Sequence, residues 1–390
     1  MIQLFTKYLK GNPAIWIIII VLMLISLLEV FSATSLIAYK HNAGYYFFIK
    51  HAILLFISFG IIFGLHHVEY RLFGRLAFLS MILSVFLLIL TLLVGTNLNQ
   101  ASRWLVIPGL GLTFQTSDFA KIALVVYLAK TIKDKQDVIK DFKKGFLPLI
   151  IPVFIITGLI FPANFSTAAM LFFVSMVILF VGRVRILHLV TSVLIVAVFG
   201  LTFIYTAPYF MKHSRVATWK SRIETFVGGS DEKETVDDNK NFQSVQAKIA
   251  IAANGIGGIG LGKSVQKYIL PHPYSDFIFA IIVEEFGFVA VVLIVFLYVY
   301  LFYHALLIMK KSEYVFEAIL GFGLIFLIVI QAFINMGVAA GIFPVTGQPL
   351  PFISMGGTSL LFTGVAFGII LSVSRSVEGH KKEILETEEA

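Results

Sequence analysis

Four short stretches hold residue types that could do chemistry. In PHPYSDFIFA, Asp276 follows Ser275 where a polar segment gives way to an apolar run. A carboxylate anchored at the start of a helix can serve as a general base. The same position suits a helix N-cap, a role open to Ser275 as well. In TSDFAKIALVVYLAK, Asp118 and Lys121 stand at i,i+3 and can pair on one helix face. Charges inside an apolar helix either mark function or form a pair that only fixes packing. GGIGLGKS, Gly257 to Ser264, fits the pattern of a phosphate-cradling nucleotide loop. Its surroundings argue against that use. QAKIAIAAN reads poorly as a buried strand, and the prolines of VQKYILPHPY cut short any helix that would present its N-terminus to phosphate. No nucleotide is expected, and a flexible turn remains whose amides and Lys263 could meet another phosphate. Finally, Glu284 and Glu285 lie two turns beyond Asp276. Adjacent helical positions point about 100° apart, so at least one of them must contact polar protein.

The segment that holds the glycine-rich turn and leads into Asp276, 207–276, is polar and basic. Arg215, Lys248 and Lys263 belong to it, together with Trp219 and Tyr268. A basic surface edged by aromatic rings suits an anionic lipid headgroup, a diphosphate above all, or is simply a solvated loop face. Within it, GGSDEKETVDDNKN, near 228–241, lacks periodicity and reads as a disordered insertion.

The elements that position these residues are membrane spans. Only 13% of the chain is charged, against about 25% in soluble domains. Blocks such as AIWIIIIVLMLISLLEVF are long enough to cross a bilayer. The apolar blocks predict an all-α polytopic bundle of ten transmembrane helices, near 14–33, 46–65, 73–95, 114–130, 146–163, 165–182, 186–206, 277–304, 317–343 and 358–376. A large loop, 207–276, separates helices seven and eight, and 377–390 forms a tail. With the N-terminus in the cytoplasm, 17 lysines and arginines fall inside, including Lys130, Lys133 and Lys135, against Lys40, Lys50 and Arg103 in the short outer loops. That bias supports both the count and the orientation, with both termini cytoplasmic. The formal charge of +8 therefore reports topology and implies no nucleic acid. The lack of cysteine excludes thiolate metal sites and cysteine nucleophiles. PVTGQPLPFISMGGTS, rich in Pro and Gly between spans nine and ten, predicts an irregular re-entrant segment or an ordinary loop.

Three stretches carry a family resemblance. RWLVIPGLGLTFQTSDFAKIALVVYLAK, QSVQAKIAIAANGIGGIGLGKSVQKYILPHPYSDFIFAIIVEEFG and NMGVAAGIFPVTGQPLPFISMGGTSLL resemble, in that order, the SEDS proteins of bacterial shape, elongation, division and sporulation. The likeness runs over nearly the whole chain and leans toward the division branch. It implies a ten-helix peptidoglycan glycosyltransferase that polymerises lipid II on undecaprenyl diphosphate at the outer face of the cytoplasmic membrane, at the division septum. It also implies a class B penicillin-binding protein and other division proteins as partners. The family's essential acid matches Asp276, its buried acid–lysine pair Asp118 and Lys121, its arginine before tryptophan Arg103, and its QxxQxK stretch Gln243, Gln246 and Lys248. Departures exist: Asp118 replaces the common glutamate, Thr116 a proline, and Asn164 a carboxylate, while Gln348 and Met355 are also unusual.

The chemistry so implied is attack by a sugar hydroxyl on an anomeric carbon with departure of diphosphate. Asp276 is the candidate base or, alternatively, a ligand of a divalent cation such as Mg2+ or Mn2+. Arg103, Lys121 and the loop lysines are candidates to take up negative charge, with Ser275 and Glu285 as supporting residues. A lipid II flippase would use Asp118 and Lys121 equally well, although the halves show no internal repeat. A non-catalytic division scaffold is the third reading.

Overall fold

The computed structural model describes residues 9–40, 45–98, 101–107, 112–210, 238–252, 255–270 and 273–388. Helices dominate. In chain order they are α1 (Pro13–Lys40), α2 (Tyr46–Leu65), α3 (Tyr70–Val94), α4 (Thr116–Asp134), α5 (Leu147–Ile160), α6 (Phe165–Val181), α7 (Ile186–Phe210), α8 (Asp238–Ala252), α9 (Ile278–Phe286), α10 (Phe288–Lys311), α11 (Val315–Ala339) and α12 (Thr358–Glu388). Among the described residues, seven helical stretches are long and apolar enough to cross a membrane: Pro13–Thr34, Tyr46–Leu65, Tyr70–Val94, Phe142–Ile160, Phe288–Lys311, Val315–Ala339 and Thr358–Gly379. Phe165–Val181 and Ile186–Gly200 are shorter apolar helices.

The centre of the bundle is built from α11 and α4. Glycines let α11 approach its neighbours closely. A Cβ on Gly323 would lie 2.8 Å from Val125 of α4, and one on Gly321 would lie 2.7 Å from Ile308 of α10. The periphery is the inverse of a soluble protein: Phe56, Phe78 and Leu93 are apolar and largely exposed. Such a contiguous apolar rim needs a lipid solvent. Local signals set the helix starts. Asn12 caps α1 through Ala14 N–H at 2.9 Å, with Pro13 in the first turn. Asn164 caps α6, accepting from Thr167 N–H at 3.3 Å. At that position an amide oxygen serves as the cap.

The structure corrects the sequence reading in three places. The predicted eighth span, 277–304, is broken at Gly287 into α9 and α10, because Gly287 adopts φ 68°. That conformation is open to glycine and ends a helix. Residues 238–241, placed in the disordered insertion, open helix α8; residues 228–237 lie outside the described residues. An all-α reading also missed an antiparallel sheet between α3 and α4, made of β1 (Thr96–Leu98), β2 (Ala101–Ile107) and β3 (Leu112–Gln115) in the order β1-β2-β3. The register shifts between Thr96 and Asn97, which pair with Trp104 and Ser102, so Arg103 sits at an irregularity of β2.

Candidate functional site

Asp276 stands at the entrance to α9, half-buried, in the turn 273–277. Its carboxylate accepts a hydrogen bond from Ser275 Oγ at 2.9 Å. The backbone beneath it is held at three consecutive carbonyls. Met355 N–H donates to Tyr274 O at 2.9 Å, Ser354 Oγ to Ser275 O at 2.6 Å, and Asn335 Nδ2 to Asp276 O at 2.9 Å. The first two donors belong to the segment between α11 and α12, and the third lies on α11. Burial, and then the charge of Asp276, hold the Tyr274 phenol above the ordinary tyrosine range.

That inter-helix segment, which the sequence reads as re-entrant or as an ordinary loop, is irregular and largely buried within the bundle. Irregular backbone inside a bundle needs partners for its polar groups, and side chains supply them. Gln348 O accepts from Asn335 Nδ2 at 2.8 Å, Pro349 O from Gln331 Nε2 at 3.0 Å, Pro351 O from Tyr298 OH at 2.5 Å and Ile353 O from Ser26 Oγ at 2.8 Å. Ser26 also meets His51 Nε2 at 2.7 Å. Since the hydroxyl proton goes to Ile353, His51 must donate there.

Asp118 and Lys121 form the ion pair their spacing predicted, at 2.8 Å and with side chains 5% and 9% exposed. Lys121 Nζ also donates to Gln331 Oε1 at 2.9 Å. One helical turn apart on α11, Gln331 and Asn335 therefore link the buried pair to the re-entrant segment and on to the Asp276 backbone. A cleft with about 310 Å³ of empty space opens beside the pair, bounded by Gln331, Pro351, Ser359, Phe362 and Thr363. A second, of about 290 Å³, lies between Thr91, Thr116, Ser117 and Asn164. Asp276 lines neither.

The glycine-rich turn departs from its expected role. Its amides are spent on protein carboxylates. Gly262 N–H donates to Glu285 Oε2 at 2.9 Å, and Val265 N–H to Glu284 Oε1 at 3.0 Å. Glu284 and Glu285 are both buried, so both contact polar protein, beyond the one required by their angular separation. Lys267 is buried with them, while Lys263 is exposed. A phosphate reaching this turn would find Lys263 but would have to displace glutamates from the amides.

The other candidates lie as follows. On α8, Gln243 and Gln246 are half-buried and Lys248 is exposed, its aliphatic chain lying across Gly341 at the end of α11. Arg103 lies on β2, and Arg215 falls outside the described residues. Asn335, Gln331 and Ser354 were missed. For the two amides the signal was present, since polar amides in the middle of an apolar span need a reason to be there; Ser354 lies outside any span and gave none.

The pattern of the FtsW/RodA/SpoVE family, described as cell cycle proteins, matches residues 13–379. A probable peptidoglycan glycosyltransferase FtsW of Trichlorobacter lovleyi is 32% identical over 368 residues, covering 93% of this chain and 92% of the relative. The stage V sporulation protein E of Bacillus subtilis is 34% identical over 383 residues, covering 94% and 98%. Among solved structures, a chain from a peptidoglycan synthase complex that coordinates polymerization and crosslinking aligns with TM-score 0.74 at 24% identity, over 95% of this chain and 99% of that one.

Proposed function

Since the chain belongs to the FtsW/RodA/SpoVE family of cell cycle proteins, we propose that it is a peptidoglycan glycosyltransferase polymerising lipid II. The observation that carries this reading is the similarity to FtsW along the whole fold, joined to one carboxylate, Asp276, whose backbone is fixed at three points. The 4-hydroxyl of the terminal sugar on an incoming lipid II attacks the anomeric carbon of a glycan carried on undecaprenyl diphosphate. The new C–O bond forms, the bond to diphosphate breaks, and the hydroxyl proton passes to Asp276. Arg103, Arg215, Lys121, Lys248 and Lys263 are the candidate cations for the leaving diphosphate, and Gln243 and Gln246 candidate donors to the sugars. Ser275 orients the base.

Among the described residues, no three or more His, Asp or Glu side chains gather as a metal site. The donor set at Asp276 is one carboxylate, which suits Mg2+ or Mn2+ only when substrate phosphates complete the shell. In the alternative role, with Asp276 a ligand in place of the base, such a cation would travel with the diphosphate and be held on the protein by that carboxylate.

The proposed topology has ten spans, adding α4, α6 and α7 to the seven long apolar stretches and counting α9 with α10 as one broken span. Both termini are cytoplasmic, and the 207–276 loop faces outward. The division septum is the proposed location, with a class B penicillin-binding protein and other division proteins as partners. The buried Asp118–Lys121 pair would also suit a flippase, and the same assay separates the two. Purified protein in lipid nanodiscs is given lipid II, and glycan length is read on gels. Wild type is expected to polymerise, and Asp276→Asn to lose about 10²-fold or more. A folded Asp276→Asn protein polymerising at the wild-type rate would refute the assignment.

A further inference from the structure

The nine residues of α9 are held separately from the rest of the eighth span. A helix this short is not stable by itself, so its position is set by what grips its ends. At the N-terminal end the grip is Asn335, Ser354 and Met355 on the 274–276 carbonyls. At the C-terminal end it is the glycine-rich turn. The last carbonyls of the helix lack helical donors, and the turn provides two, from Ile259 N–H to Glu284 O at 3.1 Å and from Gly260 N–H to Glu285 O at 2.8 Å. The glutamate side chains grip back. Glu285 accepts from Gly262 N–H, from Ser264 N–H at 3.4 Å and from Ser32 Oγ of α1 at 2.5 Å. Glu284 accepts from Val265 N–H, from Gln266 N–H at 3.2 Å and, in a short contact, from Ser264 Oγ. Lys267 supplies the countercharge, with Nζ 2.7 Å from Gly262 O, 3.4 Å from Ser32 Oγ and 3.9 Å from Glu285 Oε1. The backbones touch as well. A Cβ on Gly258 (φ 66°) would lie 2.4 Å from Glu285 O, and one on Gly287 would lie 2.4 Å from Ile256 O.

We propose that Glu284 and Glu285 are positioning residues for the glycosyl transfer, closing the 255–267 turn as a clasp that fixes the α9 rod and with it Asp276. The inference rests on the glycosyltransferase reading. Adjacent carboxylates pointing about 100° apart both reach amides because the turn wraps around the end of the helix. A rod of nine residues is about 14 Å long, so a slip at the clasp moves the carboxylate at the far end. Misplacement of a catalytic group by about 1 Å lowers turnover up to about 10²-fold.

The test is steady-state polymerisation of lipid II in nanodiscs by wild type, Glu285→Ala, Glu285→Gln, Gly258→Ala and Asp276→Asn, each normalised to monodisperse, folded protein. Glu285→Ala and Gly258→Ala are expected to lower kcat by about 10- to 100-fold with KM for lipid II changed less than about twofold. Glu285→Gln, which keeps one acceptor oxygen, should fall between wild type and alanine. If Glu285→Ala does not fold, the glutamine and Gly258→Ala proteins decide. Wild-type kcat in the folded variants overturns the inference, as does a higher KM at unchanged kcat, since the clasp would then hold substrate. Lack of glycan from wild type itself would refute the enzymatic reading and the inference together.

Discussion

Removing Lys121 alone should damage the protein more than removing the whole ion pair. Its ammonium lies 2.8 Å from Asp118 and 2.9 Å from Gln331, in a site less than a tenth exposed. At an effective dielectric constant near 20, two charges at that distance attract by about 6 kcal/mol before desolvation is counted. Lys121→Met leaves Asp118 buried without its countercharge. One oxygen of that carboxylate, Oδ2, already has no hydrogen-bond partner among the described residues. Breaking a buried pair from one side costs about 3–5 kcal/mol. Asp118→Leu with Lys121→Met removes both charges and leaves only Gln331 Oε1 without its donor, a loss of about 1–3 kcal/mol. The expected cycle therefore has a coupling energy of at least ~3 kcal/mol. Equilibrium unfolding of the four proteins in mixed micelles, titrated with denaturing detergent, measures it. Additivity within about 0.5 kcal/mol would refute the reasoning. Polymerisation by the double variant then separates two roles. Activity that returns with stability marks a packing pair; a stable but inactive protein marks Lys121 as a cation that the reaction uses.

Asn335→Leu removes the donor shared by Asp276 O and Gln348 O. Losing this donor to one buried and one part-buried carbonyl costs about 1–3 kcal/mol for the buried one, so unfolding free energy should fall by that order and glycan synthesis by more than tenfold; a wild-type rate would show that Ser354 and Met355 suffice. Tyr274 gives a pH prediction. Its phenol is raised in the folded protein by burial and by the charge of Asp276, so its contribution to stability is complete below the unfolded tyrosine value of about 10 and is lost as pH rises through the folded value. Wild type should lose more stability above pH ~10 than Tyr274→Phe, as read by thermal unfolding across pH; parallel curves would disprove it.

Much of this architecture was legible in the residues because lipid imposes simple rules. Long apolar blocks become helices, and Asp118 and Lys121 at i,i+3 had one economical way to enter a membrane, as a pair. What escaped depended on contacts between distant segments. Gly287 looks like any glycine in an apolar run until Ile256 and Gly258 are seen packed against it, a neighbourhood thirty residues of periodicity cannot reveal. The sheet at 96–115 was read as a short outer loop between spans, because strands of three, seven and four residues are too brief for a hydropathy pattern to separate from a turn. GGIGLGKS looked ready for an exogenous anion because its amide-rich backbone is real; that the anions are Glu284 and Glu285 follows only from the folding back of the turn.

The arrangement around Asp276 follows from the physics of putting irregular backbone into a bilayer. Residues 344–357 have no helix to satisfy their carbonyls, and water does not reach a packed interior, so Asn335, Gln331, Tyr298 and Ser26 must each give up a side-chain proton to them. All four donors sit on the long helices α1, α10 and α11 at positions where an apolar residue would pack better, and they are tolerable only because the re-entrant segment is there. The segment repays the constraint through Ser354 and Met355, which hold the carbonyls of Ser275 and Tyr274. A carboxylate in a flexible loop would sample many positions relative to a sugar hydroxyl and lose effective molarity. Here Asn335 both satisfies the buried loop and holds the Asp276 carbonyl, and the loop itself holds the two carbonyls before it, so changes that loosen the re-entrant segment should lower turnover before they lower stability enough to unfold the chain.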